Sequence, residues 1–330
     1  MTKVESLKVS EIGAAGTVFD LAPVKAAIYK TTILRSRRLD ERVGLPVVIA
    51  SETFQETGSF KFRAAYAAAY YSKSKHLLTA SSGNFGQALA LAARLLGKDC
   101  TVVMPSTSAQ VKIEAVRGFG ARVDLIDTTI ITRHDRVLEL AEQIPHVEVL
   151  SAYDDPRVIA GNSTLGEELA ELTKAYSFDC VIAPMGGGGL TAGILQGLKR
   201  KGSDLQVYAA EPKLANDGAR SIAAGAIVAN DQEPATIADG ARTLSLGKHN
   251  FEILKAGLAG VLEVSEDLIK EAVQILFQSA NLKAEPTGAL ALGAILAQKK
   301  QFDGRRPLIV VSGGNVDSQV YSQIIAAGSR

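Results

Sequence analysis

Neither sign of charge prevails in this 330-residue chain: Lys and Arg number 36, Asp and Glu 35, and the net charge is +1. No basic run exceeds "KRK" (199–201), so the electrostatic footprint of a nucleic-acid binder is missing and no such partner is expected. The longest apolar stretch, "GALALGAILA" (288–297), is about half the roughly 20 residues of a bilayer span, so no membrane segment is expected. The N-terminus, "MTKVESLKVSE", lacks the apolar centre of a secretion signal. Cysteine is scarce: Cys100 and Cys180 lie in apolar runs, cannot build a metal cluster alone, and suit a reducing cytoplasm. No fixed-period repeat or low-complexity tract interrupts the chain. What remains is an ordinary globular composition, 47% hydrophobic and 22% charged, with material for about two domains of roughly 100–200 residues. A cytoplasmic enzyme is the expectation.

Short β-branched runs alternate with helical patterns through the middle of the chain. "CTVVM" (100–104), "ARVDLID" (121–127), "HVEVLS" (146–151), "FDCVIAP" (178–184), "LQVYAAE" (205–211) and "RPLIVVS" (306–312) read as strands. "SAQVKIEAVRGFG" and "RHDRVLELAEQI" read as helices between them. That alternation predicts parallel sheets built from βαβ units. The rhythm restarts after about 153, where "YDDPRVIAGNSTLGEEL" carries loop punctuation before a new helix. Two open parallel-sheet αβ domains follow from this: a small one at 73–152, and a large one from 153–330 that the first 72 residues can join.

Three glycine-containing loops lie just beyond strands, where ligands of parallel sheets bind. In "TASSGNFGQALALAARLLG" (79–97), Ser82 and Asn84 either present a hydroxyl and an amide to a cleft or simply cap the following helix. In "APMGGGGLTAGILQGL" (183–198), four consecutive glycines can gather backbone N–H groups into a concavity at a helix N-terminus, which points to phosphate. It is neither a P-loop, lacking Gly-Lys-Ser/Thr, nor the dinucleotide fingerprint. A merely flexible turn is the alternative, against the folding entropy of so many glycines. In "IVVSGGNVDS" (309–318), Ser312 ends a strand before a glycine pair. A further segment, "ETFQETGSFKFRAAYAAAYY" (52–71), sets Lys61 between two phenylalanines at the start of an Ala-rich helix. A lysine in an apolar sleeve is a better nucleophile and base, whereas one snorkelling from an amphipathic helix is inert.

Taken in order, these segments resemble one family. "GSFKFRAA" (58–65), "ASSGNFGQALALAA" (80–93), "TVVMPSTSAQVKIEAVRGFGA" (101–121) and "VIAGNSTLGEEL" (158–169) belong to the pattern. So do "APMGGGGLTAGI" (183–194), "ADGAR" (238–242), "EPTGALAL" (285–292) and "VSGGNVD" (311–317). The chain is similar to pyridoxal-phosphate enzymes of the tryptophan-synthase-β fold (fold type II), in the threonine dehydratase and serine racemase branch, from about residue 28 to 325. The resemblance implies that the cofactor lies in the cleft between the two domains. Lys61 forms a Schiff base with it, Phe60 packs on its ring and Asn84 binds its 3′-oxygen. Gly186, Gly187, Gly188 and Gly189 cradle its phosphate with the Leu190 amide, and Ser312 meets the ring nitrogen. Ser82 lies opposite Lys61, and the loop of Ser81, Ser82, Gly83, Asn84, Phe85 and Gly86 holds the substrate carboxylate. The implied reaction is loss of water and ammonia from a small β-hydroxy amino acid, L-threonine or L-serine first, through an aminoacrylate to a 2-oxo acid. Racemisation of serine, dehydration of 3-hydroxyaspartate or another hydroxylated amino acid, and a catalytically idle binding subunit are the rivals.

The resemblance also implies a homodimer and, in "EPKLANDG" (211–218), a divalent-cation site of Glu211, the Ala215 carbonyl and Asp217. All-oxygen ligation suits Mg²⁺ or Ca²⁺; the alternative is two exposed carboxylates in a loop. Three departures from the family pattern stand out, the first two lining or bordering the implied site. Phe85 stands where a histidine is common, Tyr153 where serine racemase has an asparagine, and "KTTILRS" (30–36) lacks the usual proline.

Overall fold

The computed structural model describes residues 19–327 except 82 and 109. Helix α1 (Ala22–Ala27) leads to β1 (Thr32–Leu34), α2 (Arg37–Val43), β2 (Val48–Ser51) and α3 (Lys61–Tyr71). Next come β3 (His76–Ala80), α4 (Asn84–Leu95), β4 (Asp99–Pro105), α5 (Gln110–Gly118), β5 (Arg122–Ile126), α6 (Arg133–Gln143) and β6 (Val147–Val149). The chain continues through α7 (Pro156–Tyr176), β7 (Cys180–Pro184), α8 (Gly189–Arg200), β8 (Gln206–Pro212), α9 (Asp217–Ala224) and α10 (Lys248–Gly257). It closes with β9 (Leu258–Val264), α11 (Glu266–Ala280), α12 (Pro286–Ala297), β10 (Pro307–Val311) and α13 (Ser318–Ala327).

Two sheets result. The larger has the order β1-β2-β10-β7-β8-β9 and the smaller β5-β4-β3-β6. Every pairing is parallel except β1 with β2, whose antiparallel register sets Thr32 against Ser51. That edge departs from the all-parallel expectation: β1 pairs antiparallel with β2, to which it is joined through α2. The six strands expected from sequence appear within one or two residues of their anticipated ends. As a domain division we propose 1–72 with 153–330 and 73–152, with α3 the element between them. The buried face of α3 (Phe62, Ala64, Ala65, Ala68, Ala69) packs with α4, Leu77 and Val102 of the smaller sheet.

The apolar run at 288–297 is the body of α12, buried on all sides beneath the larger sheet. A helix apolar all round belongs in such a core. Among the described residues, no helix is long and apolar enough to cross a membrane. Cys100 and Cys180 are buried in β4 and β7 as free thiols, and burial pushes both up to about 12, out of the reactive range.

Helices α7 and α8 cross at backbone contact. A Cβ at Gly166 would lie 2.3 Å from the Ile194 carbonyl oxygen, and one at Gly197 2.1 Å from that of Ser163. Overpacking of this kind costs roughly 1–3 kcal/mol. Gly166→Ala is therefore expected to lower unfolding free energy by about that amount in a denaturant titration. Gly118→Ala, where nothing lies within 4 Å of the added carbon, should leave it unchanged or slightly raised.

Candidate active site

The loops that carry the chemistry leave the carboxyl ends of β2, β3, β7 and β10, as open parallel sheets dictate. The turn before α3 is stitched to the loop after β10. Phe60 donates its N–H to the Ser312 carbonyl (2.9 Å), Gly314 donates to Gly58 (3.0 Å), and Ser59 bridges Gly313. Gly58 takes a positive φ of 72° to make that turn. The turn that leads into Lys61 is thereby fixed to Ser312 at the mouth of the neighbouring strand.

Lys61 opens α3, and its Nζ donates to the Ala152 carbonyl at 2.8 Å. The amine lies 5.1 Å from the centre of the Phe60 ring and 5.7 Å from that of Phe85. Loss of hydration lowers its pKa to about 8, while the charge of Glu285 pulls it back up. The snorkelling alternative fails, because the amine is turned inward among aromatic rings. Phe85, expected in the substrate loop, thus also touches the lysine.

Ser81 accepts from the backbone of Gly83 (3.3 Å) and Gly86 (3.1 Å), tying the loop into the first turn of α4. The remaining first-turn amides have no acceptor within their own helix, an arrangement that suits an anion. Ser82 lies outside the described residues. Asn84 donates through Nδ2 to both oxygens of Glu285 (2.8 and 3.1 Å) and accepts at Oδ1 from Asn315 (2.8 Å), which itself also donates to Thr57. That network fixes which way the Asn84 amide faces.

Between β7 and α8, the glycine loop is shaped from behind. Asn250 donates to the carbonyls of Gly187 (2.7 Å) and Tyr153 (3.0 Å), Asn162 to that of Gly189 (3.0 Å), and the Gly247 amide to Gly187 (3.1 Å). With those carbonyls taken, the N–H groups and the α8 dipole are left for an anion. Gly188 has a φ of 93°, and a Cβ on Gly187 would strike the Tyr153 ring at 2.3 Å. Only glycine fits both places, which dismisses a merely flexible turn. Leu190 is buried at the start of α8, and Ser312 is 1% exposed. A cradle that any Cβ would fill, a desolvated lysine and a strand-end serine fit a phosphorylated aldehyde cofactor.

Sequence reasoning gave Glu285 no role, although "EPTG" quoted it. It precedes Pro286 at the N-cap of α12, is buried, and has its carboxyl raised to about 8, mainly by burial and then by the charge of Asp239. A glutamate opening a wholly apolar helix is the signal that could have found it. Asn315 and Arg63 were likewise unassigned; their partners are distant in sequence.

Glu211 is the penultimate residue of β8 and Asp217 begins α9, with Ala215 in the tight turn between them; all three are buried. The reading of two exposed carboxylates is corrected by that burial. Glu211 accepts from the Ala219 amide at 2.6 Å and Asp217 Oδ1 from Asn230 at 2.9 Å, while Asp217 Oδ2 is buried without a partner. Burial raises Glu211 to about 8, with the Asp217 charge adding to it, and raises Asp217 to about 6. An orphaned carboxylate oxygen beside a second carboxylate fits a hard cation. Among the described residues no three His, Cys, Asp or Glu side chains converge on a metal-sized site, so a cation here must draw on backbone or water oxygen.

This site and fold define a class: the chain belongs to the family of pyridoxal-phosphate dependent enzymes, whose family model matches residues 24–313. Its relatives are more particular. It is 39% identical over 300 residues to an L-threo-3-hydroxyaspartate ammonia-lyase of Pseudomonas sp, covering 90% of this chain and 93% of that one. It is 36% identical over 309 residues to the serine racemase of Dictyostelium discoideum, covering 92% and 94%. Its fold superposes on the crystal structure of a T.th. threonine deaminase with a TM-score of 0.84 at 37% identity, covering 90% and 96%.

The lowered Lys61 pKa has a direct consequence for the protein without cofactor. Labelling of Lys61 by an amine-directed acylating reagent, read by peptide mass spectrometry, should rise with pH to a midpoint near 8 and not near 10.5. Glu285→Gln removes the charge that favours the ammonium form, so its midpoint should fall below that of the wild type. A midpoint that rises instead would show that the two groups do not face each other electrostatically.

Proposed function

We propose that the protein is an ammonia-lyase removing water and ammonia from a small β-hydroxy amino acid to give a 2-oxo acid. The observation that carries this reading is the desolvated Lys61 amine, which donates to Ala152, next to the Tyr153 ring that walls the glycine loop, and directly follows Phe60, whose amide is bonded to Ser312. Pyridoxal phosphate, when bound, supplies the electron sink that acidifies the Cα–H of an amino acid. Gly186 to Gly189 and the Leu190 amide would hold its phosphate, Phe60 its ring face and Asn84 its 3′-oxygen. Lys61, with a pKa near 8, is suited both to bonding an aldehyde and to taking a proton at Cα. Ser312 offers the ring nitrogen a neutral hydroxyl, which does not hold a proton there as a carboxylate would. The sink is then a moderate one, and prompt loss of a β-substituent suits it better than a long-lived carbanion. Phe60 and Phe85 keep water from the amine. Glu285, raised to about 8, titrates over the same range as Lys61 and can take up or release a proton beside Asn84. The first-turn amides of α4 would bind the substrate carboxylate.

A second reading within the class, 3-hydroxyaspartate as substrate, draws support from the 39% identity to the Pseudomonas ammonia-lyase. The deciding experiment assays L-serine, L-threonine and L-threo-3-hydroxyaspartate for 2-oxo acid and ammonia, with chiral analysis of recovered serine. Elimination from at least one of them is expected; inverted serine without elimination would make the protein a racemase. Lys61→Ala should lower turnover by roughly 10²–10⁴-fold or more and abolish the visible band of the lysine-bound cofactor. Substantial elimination by that variant would remove Lys61 from its role. Light scattering at micromolar concentration tests the expected homodimer.

We further propose that Glu211, the Ala215 carbonyl and Asp217 hold Mg²⁺ or Ca²⁺, on the support of the unpartnered Asp217 Oδ2. An ion that binds only the folded state stabilises it by about 2.7 kcal/mol at a hundred times its dissociation constant. A chelator should lower the melting temperature and either ion should restore it, while Asp217→Ala should show no response. Equal melting of the wild type with chelator and with excess ion would refute the site.

A further inference from the structure

We propose that Arg63 is a positioning residue that sets Lys61 in register with both ends of the cofactor site. The inference rests on the reading of Lys61 as the cofactor lysine. Arg63 follows Lys61 by two residues in α3, so its side chain leaves the helix away from the cleft, and it is wholly buried. Its guanidinium grips two carboxylates. Nε and Nη2 reach Glu52 at 2.7 and 2.9 Å, and Nη1 and Nη2 reach Glu168 at 2.7 and 3.2 Å. Nη1 also donates to Thr164 Oγ1 at 3.0 Å and Nη2 to the Tyr29 carbonyl at 3.3 Å.

Each grip leads to a different part of the site. Glu52 follows β2 directly, and its amide donates to the Val311 carbonyl at 2.9 Å, one residue before Ser312. Glu168 and Thr164 stand on α7, where Asn162 holds the Gly189 carbonyl of the glycine cradle. The two helices touch without intervening side chains: a Cβ at Gly161 would lie 2.3 Å from the Arg63 carbonyl. A planar fork bonded to two carboxylates fixes rotation as well as distance, which a lysine ammonium cannot do. Buried ion clusters contribute little net stability relative to uncharged, well-packed replacements. Geometry is therefore what this cluster supplies. Arg63 clamps the lysine turn from behind, against the strand bearing Ser312 and the helix backing the phosphate loop.

The test compares the wild type, Arg63→Lys, Glu52→Gln, and the uncharged triple variant Arg63→Met/Glu52→Gln/Glu168→Gln. The triple variant leaves no unpaired buried charge and should fold even where Arg63→Lys does not. Far-UV circular dichroism and cooperative unfolding establish folding. Pyridoxal phosphate is then added to cofactor-free protein, and formation of the borohydride-fixable bond to Lys61 is timed by absorbance and located by peptide mass. Folded variants are expected to bond the cofactor roughly 10–100-fold more slowly, as misplacement by about 1 Å would cause. The pH midpoint of their visible band should also move, and turnover number should fall with little change in KM. A folded triple variant or Arg63→Lys that bonds at the wild-type rate, with an unshifted band, would overturn the proposal. A wild type that forms no fixable bond at Lys61 would overturn the cofactor reading itself.

Discussion

Everything in the site depends on a backbone stitch between segments some 250 positions apart in sequence, the turn at 58–60 and the loop at 312–314. The local bonds of each segment, such as Gly58 to Gln55 and Val316 to Gly314, do not bring the two together. The stitch exists because β2 and β10 are parallel neighbours in register, Val311 against Ser51, so that both strands end at the same height. The loops leaving them must then satisfy each other's backbone groups in a place largely closed to water. The turn leading into Lys61 is bonded to Ser312 as a by-product of that requirement. The carboxyl end of β7 lies next in the sheet, which is how the glycine loop joins them.

A second theme is the concentration of charge in dry places. Lys61, Arg63, Glu52, Glu211, Asp217 and Glu285 sit in or beside the interior. Each would be costly alone, and most have a compensating arrangement. Arg63 is shared by two carboxylates, Asn84 donates twice to Glu285, and Lys61 gives up part of its charge by lowering its pKa. Asp217 Oδ2 alone among those carboxylate oxygens is buried without a partner, and there the chemistry of a hard cation completes the account. The raised Glu285 and the lowered Lys61 meet near the same pH, an arrangement suited to moving protons at neutrality.

The departures from the family pattern acquire physical content from their surroundings. A histidine in the place of Phe85 would bring a titrating ring near the lysine; phenylalanine brings only desolvation and a π-face. Tyr153 lies against bare Gly187, so its ring is the wall that demands glycine there. Phe85 thus shapes the surroundings of the lysine, and Tyr153 shapes the glycine loop.

Local signals were legible in the sequence because their physics is local. Alternation and β-branching placed β4, β5, β6, β7, β8 and β10 to within a residue or two. Four glycines at a strand end pointed to an anion cradle, whereas a lysine between phenylalanines read locally as a snorkelling side chain as readily as a desolvated amine, and only the family resemblance gave it a role. β9 lacked such a signal, being an edge strand with only two buried residues and a glycine in its run. The antiparallel β1 was hidden because three half-buried residues carry no periodicity. Glu52, Glu168, Glu285 and Asn315 read in the sequence as ordinary polar residues, and burial of Glu211 and Asp217 was equally invisible. Their meaning depends on partners up to hundreds of positions away, and whether a charge is solvated or dry is set by what the folded chain stacks above it. By itself the sequence determined most of the elements and the place of the glycine loop and of Lys61 within them; tertiary structure alone decided the electrostatics around them, because desolvation belongs to no segment of the chain.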